Sequence, residues 1–438
     1  MKTRKHFDRM LLLAMLLVFI IPVQGRTMRE RQEKITREIT ITPATRISFE
    51  NKNGPVKVET WDKNAIKVDI QIVIDGEDNE INKVLEALRN LEFIKENETV
   101  LFKTRFYKMM SGVIPGHFKV ILLNGTTVRL NRLDLSYVLT IPKNNTLSVK
   151  NAYDRLILPN LSGKLNLDLY ECDLTAGTIA NDAEMQLKYG KATVDSVMDV
   201  KLTLYENDLS LTKAGDIRMD SKYSSVGIMT AGSLNIDSYE DKITVARHGD
   251  VSAVAKYTTL NLAGFNRGTF DLYECQLKTG DVNILAIGAK YTLMEFQSCR
   301  ALVFTTSYEN KLRGGIIGDL KASSNYSSYR IDRFEGKITF TSSYEDEIMV
   351  KSVSKKFIGI DLDGKYTELN LIFETDAAYK IDADTRYTDF DYRKEFFREI
   401  RYHKEDEEFR YVAVTQGADE STAPVISLRM YEGKVVLR

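Results

Sequence analysis

From Met185 to Phe296 the chain repeats itself every 17 residues. No other feature constrains the fold as strongly. Steps of seventeen from Leu202 reach Met219, Ile236, Ala253, Phe270, Ile287 and Phe304, all apolar. Leu209 leads to Val226, Ile243, Leu260, Leu277 and Met294, and Leu211 to Ile228, Val245, Leu262, Thr279 and Phe296. A fixed short period marks a solenoid, in which each unit buries its apolar edge against its neighbours. Helical repeats need about 33 residues or more. Within a unit the apolar residues alternate, as in Leu202 and Leu204, which is strand spacing. Proline is missing between Pro159 and Pro424. The chain therefore reads as all-β, a parallel β-solenoid (β-helix) with coils about 4.8 Å apart.

Three further columns concern the surface. Gly215, Gly232, Gly249, Asn266 and Asn283 share one. These residue types tolerate positive φ best, so this column is expected to be a left-handed backbone corner. A second reads Tyr205, Lys222, Tyr239, Lys256, Tyr273, Lys290, and its neighbour runs in antiphase: Glu206, Tyr223, Glu240, Tyr257, Glu274, Tyr291. Tyrosines at 153, 170, 189, 205, 223, 239, 257, 273, 291, 308, 326, 344, 366 and 387 mark fourteen coils, a rod of roughly 67 Å.

Four segments follow. Residues 1–25 open with Lys2, Arg4, Lys5 and Arg9 before an apolar run from Met10 to Ile21. That is the pattern of a secretory signal peptide, too short for a membrane span. The expected location is periplasm, cell surface or outer membrane. Residues 26–144 read as a β-rich cap: a polar leader to Lys34, strands from Ile35, and a helix at 79–91 with Asp78 as N-cap, placed to cover the open end of the stack. Tyr107 to Gly116 is an apolar, Met-rich loop, either folded over that helix or a binding or membrane-touching element. The coils occupy 145–390. Residues 391–438 read as a C-terminal cap: a charged hairpin, then strands in 425–437 turning at Glu432-Gly433.

Phe49 to Ile70 (FENKNGPVKVETWDKNAIKVDI), Tyr137 to Leu158 (YVLTIPKNNTLSVKNAYDRLIL) and coils turning at AGDI and TGDV resemble the adhesin-like envelope β-solenoids of Bacteroidota. That family is described as domains of unknown function or as auto-transporter adhesins. The resemblance covers nearly the whole mature chain. It implies surface adhesion and supplies no catalytic residues.

The chain offers little for catalysis. Sixty-one basic residues oppose 62 acidic ones, which argues against nucleic acid or an anionic membrane as partner. Only His117, His248 and His403 follow the leader, none at metal-ligand spacing. His248 shares a column with Ala214, Ala231 and Phe265, an interior or corner position. Cys172 and Cys275 lie six coils apart, and Cys299 is out of register with Cys275, so three free, mostly buried thiols are expected. No phosphate, dinucleotide or nucleophile motif occurs. Glu206, Glu240 and Glu274 recur about 9.6 Å apart, the outer limit for an inverting glycosidase pair, but as a regular ladder rather than a local site. No catalytic, cofactor or metal-binding residue is therefore assigned.

The candidate surface is the ladder Tyr205, Lys222, Tyr239, Lys256 and Tyr273, its tyrosines about 9.6 Å apart with lysines between them. Such a row stacks on sugar rings or peptide side chains, or serves only to stabilise the sheet. The function expected is a non-enzymatic, exported binding or scaffold module of the bacterial envelope, with an extracellular glycan or envelope protein as partner. The alternatives are a carbohydrate-active β-helix enzyme and a periplasmic partner of an envelope signalling system.

Overall fold

The computed structural model describes residues 30–112 and 118–438. The signal-peptide reading, His117 and the tip of the Met-rich loop lie outside the described residues. Strands make up 72% of the structure, which is a β-solenoid of about 13 turns with a period of about 18 residues and one helix near the N-terminus. Among the described residues no helix is long and apolar enough to cross a membrane.

Each coil has two strands. In one, Val200–Tyr205 is followed by a corner and then Asp208–Ala214. Both strands alternate buried and exposed residues, so each presents one face to a shared core. Stacking is parallel and in register. Leu202 pairs with Met219, Met219 with Ile236, and Ile236 with Ala253. On the other strand Leu209 pairs with Val226, and Val226 with Ile243. The apolar columns are thus the core ladders expected from the repeat. Cys172, Cys275 and Cys299 are free and buried.

The glycine column is a corner, but not a left-handed one. Gly215, Gly232 and Gly249 are absent from the positive-φ positions. At Gly215 and Gly232 glycine answers to crowding. A Cβ on Gly232 would stand 2.6 Å from Asp216 Oδ1 and 2.9 Å from the Gly215 carbonyl carbon. The Gly232 N–H donates to Gly215 O at 2.7 Å, and the Gly249 N–H to Gly232 O at 2.8 Å. Gly232→Val should therefore destabilise by about 1–3 kcal/mol through overpacking. A urea midpoint equal to the parent's would show that the corner has room.

The left-handed corner lies instead in the Glu206/Tyr223 column. Glu206, Tyr223, Glu240, Tyr257, Glu274 and Tyr291 have φ between 45° and 57°. Non-glycine residues pay about 1–2 kcal/mol for this conformation. It persists where neighbours over-determine it.

At the N-terminal end the stack takes in Arg46–Asn51 and Val56–Trp61, which pair parallel with Leu147–Leu158. Beyond them come Thr99–Lys103 on one side, and on the other Thr127–Pro142, Ala65–Gly76 and Arg31–Thr40. The first strand thus starts at Arg31, inside the expected leader. The helix α1 (Asp78–Arg89) buries Ile81, Val84, Leu85 and Leu88, the face its periodicity implied. Its N-cap is Glu77 rather than Asp78, with no side-chain cap bond. The Met-rich segment is a hairpin arm, not a loop: Tyr107–Ser111 pairs with Phe118–Leu122.

The C-terminal end departs most from expectation. Phe397–Glu405 and Glu408–Thr415 do form a hairpin. Val425–Leu437 does turn at Glu432-Gly433, which have φ of 54° and 154°, but it does not lie at the end of the rod. It enters parallel between Gly359–Phe373 and Lys380–Tyr392. The last strand of the chain is therefore an interior member of the stack.

Candidate functional site

The corners at the end of each first strand line up as one ridge. Coils alternate between Tyr-Glu and Lys-Tyr pairs, so one tyrosine comes from every coil but from two adjoining columns. Twelve successive contacts link Tyr153, Tyr170, Tyr189, Tyr205, Tyr223, Tyr239, Tyr257, Tyr273, Tyr291, Tyr308, Tyr326, Tyr344 and Tyr366, with ring centroids 5.3–5.8 Å apart and ring planes at 72–83°. Tyr431 continues the row, 6.3 Å from Tyr366 and 5.6 Å from Tyr387.

This adds a second set of rings to the expected ladder. The rings between Tyr205, Tyr239 and Tyr273 belong to Tyr223 and Tyr257, so the aromatic row is continuous. Lys222 and Lys256 keep strand register with those tyrosines and are exposed. Edge-to-face pairs contribute about 0.5–1.5 kcal/mol each beyond burial. That is the same size as the left-handed strain, so the ladder and the corner hold one another in place. Tyr223 and Tyr257 remain 44% exposed, which leaves ring surface for a partner.

Charge is ordered across the ridge. Lys188, Lys222, Lys256, Lys290 and Lys365 run along its first-strand side; Glu171, Glu206, Glu240, Glu274, Glu309 and Glu345 run along the other, all exposed. Among the described residues none of these makes an ion pair, although lysines elsewhere on the coils do, such as Lys201 with Glu184 at 2.7 Å and Lys351 with Asp332 at 2.7 Å. The adjoining Glu240 and Glu274 carboxylates push the Tyr239 and Tyr273 phenols above their ordinary range, as does partial burial.

A buried polar column lies directly beneath, one residue after each pair. It reads Asn207, Ser224, Asp241, Thr258, Cys275, Thr292, Asn310, Ser327, Asp346, Thr367, all buried. From Tyr205 to Thr367 the repeating unit is thus Tyr-Glu-[Asn/Asp/Cys] followed by Lys-Tyr-[Ser/Thr], apart from Asn325 in the lysine place before Tyr326. The third position was legible in the sequence and was missed because only apolar columns were followed inward. Asp241 Oδ1 accepts the Ser224 N–H at 2.7 Å, and Oδ2 accepts Ser238 Oγ at 2.5 Å. Asp346 repeats the arrangement with the Ser327 N–H at 2.7 Å and Ser343 Oγ at 2.6 Å. Burial raises both carboxyls. Perturbed buried acids are candidates for catalysis, but these are 5% and 2% exposed and their partners are hydroxyls and backbone N–H groups of the coil stack. They pin corners.

Asp241 gives a pH prediction. A carboxyl whose folded pKa lies above its unfolded value costs stability above the folded pKa. That cost vanishes as pH falls below the ordinary carboxyl value of 3.8. Asn310 shows that an amide fits the same place, accepting the Thr292 N–H at 2.9 Å and donating to Ser307 Oγ at 3.1 Å. Asp241→Asn should therefore melt above the parent at pH 7, with the difference closing toward pH 4. A gap that widens on acidification would contradict this.

Other candidates fall away on contact. His248 is a half-buried corner residue, with Nδ1 2.9 Å from Gly249 O and its ring 5.5 Å from Phe265; burial lowers its pKa. Among the described residues no group of three His, Cys, Asp or Glu is placed to hold a metal. A cleft of roughly 690 Å³ at the C-terminal end is lined by Phe373, Tyr379, Arg393, Phe397, Gln416 and Arg438. Arg438 is paired with Asp391, Gln416 donates to Glu395 O, and Arg393 sits over Phe396. These three polar side chains are engaged within the fold rather than converging on the space.

No protein-family model matches the chain, and no curated protein matches it. A solved structure from Clostridium sporogenes, of a protein proposed to act in cell adhesion, aligns over 93% of this chain and 99% of its own at 6% identity, with a TM-score of 0.18. A score this low carries no argument about fold or function.

Proposed function

We propose that the chain is an exported, non-enzymatic β-solenoid serving as an adhesin-like binding or scaffold module of the bacterial envelope, with the tyrosine ridge as its contact surface. One observation carries this reading: an unbroken, half-exposed aromatic row, flanked by unpaired charge, along a rigid stack of coils. Such a surface needs no ordering on binding. Like-facing rings recur every second coil, about 9.6 Å, so a long partner gains many weak contacts at once while a short one gains almost none. The carboxylates form a regular row rather than a local cluster, which favours binding over hydrolysis. The basic, apolar leader supports export, with the periplasm, cell surface and outer membrane all open to the mature chain.

Fractionation of native cells, with and without protease shaving, tests the location. Recovery of the chain outside the cytoplasm is expected; a wholly cytoplasmic chain would overturn the reading. A glycan array and an envelope-protein pull-down test the surface. Retention should rise steeply with ligand length.

A further inference from the structure

Resting on the ridge as contact surface, we propose its partner: a second copy of this chain, docked ridge to ridge with the two rods side by side and pointing the same way. Three observations lead there.

The first is charge. The lysines lie along one side of the tyrosine row and the glutamates along the other, all exposed and, among the described residues, without ion-pair partners. When two such ridges face each other with rods parallel, a two-fold axis along the rods sets the lysine row of each over the glutamate row of the other. With rods antiparallel, lysines meet lysines and glutamates meet glutamates, which opposes association. In the parallel arrangement each tyrosine of the Tyr205 column falls level with a glutamate of the second copy. Each lysine falls level with a tyrosine of the second copy, between two glutamates one coil away on either side. A lysine against an aromatic face gains a further attraction.

The second is period. The ridge is a ruler with a chemical repeat of two coils, about 9.6 Å, sustained along the rod. A partner with a slightly different repeat drifts out of register within a few units. A second copy has the same repeat along its whole length, bulges and longer coils included, because a two-fold axis along the rods matches each coil with itself.

The third is area. Fifteen rings from Tyr153 to Tyr387, Tyr431 included, span roughly 67 Å. A strip about 10 Å wide then covers about 700 Å² on each copy, close to the 800 Å² of a standard interface and with a polar, charged rim. That size suits a reversible, salt-sensitive dimer rather than an obligate one.

Sedimentation velocity of the full chain over a concentration series tests the proposal. A dimer is expected at low salt, weakening about tenfold or more as salt screens the two rows. Two triple variants give the decisive arm: Lys222→Glu/Lys256→Glu/Lys290→Glu and Glu206→Lys/Glu240→Lys/Glu274→Lys. Each alone should be monomeric, and an equimolar mixture should dimerise again. Donor and acceptor labels at Lys356→Cys, an exposed turn position off the ridge near the same end, should transfer efficiently between separate copies, as only the parallel arrangement brings those ends together. A parent that stays monomeric at low salt, or a charge-reversed variant that dimerises as well as the parent, overturns the proposal. A monomeric parent whose ridge still retains a glycan or envelope protein would remove this partner and leave the contact-surface reading intact. A monomeric parent with no ridge-dependent ligand would remove both.

Discussion

Ending the chain at Pro424 is expected to unravel the C-terminal coils. The missing strand, Val425–Leu437, buries Ile426, Leu428, Met430, Val435 and Leu437, each 5% exposed or less. At about 1.5–3 kcal/mol per buried apolar side chain, the loss is on the order of 10 kcal/mol before relaxation. Removal also leaves two facing edges unpaired. Closing those edges on each other is opposed by like charge. Lys365 pairs with Tyr431, and Tyr431 with Arg386. Without the strand, Lys365 would stand beside Arg386, and like charges directly opposite are destabilising. Solenoid coils depend on their nearest neighbours, so the damage should be local. Hydrogen exchange should show protection lost across 359–373 and 380–392 while coils 200–300 keep theirs. Unchanged protection at 380–392 would show that the inserted strand is dispensable.

Ile236→Asp should be nearly as severe, at several kcal/mol. Ile236 is 2% exposed and pairs with Met219 and Ala253 on the coils either side. A carboxylate there has no polar partner within the core column. The thermal midpoint should fall by many degrees; a midpoint equal to the parent's would contradict the stacked core.

Most of the architecture was legible in the sequence because the period is arithmetic. Columns Leu202 to Phe304 and Leu209 to Met294 needed only a step of seventeen, and the structure pairs them strand by strand. Two features were read amiss for physical reasons. Glycine suggested the left-handed corner, because an isolated glycine is the usual sign of positive φ. Here Gly232 answers to crowding by Asp216, and the left-handed residues are Tyr223 and Glu240, held by the ladder above and the polar column below. The inserted strand was also encoded. Lys365-Tyr366 and Arg386-Tyr387 are two consecutive pairs of the same phase, which breaks the alternation. Tyr431-Glu432 is the pair of opposite phase left over. Reading order along the chain as order along the rod concealed it. The ridge was half legible. Its tyrosines were named, but the closed ring-to-ring row depends on two columns zigzagging across one corner, which the spacing within one column does not reveal.

The measurement that bears most directly on the central claim compares the parent with the triple variant Tyr205→Ala/Tyr239→Ala/Tyr273→Ala, by thermal melt and by ligand retention on the glycan array and envelope-protein pull-down. Each substitution opens the row on both sides of a ring, at about 0.5–1.5 kcal/mol per lost contact, so the melt should fall while the coil stack persists. The parent should retain a ligand in a steeply length-dependent manner, and the folded variant should not. A variant that loses stability, with no ligand retained and no dimer formed by either protein, would contradict the contact-surface reading and leave the ladder as a structural device alone.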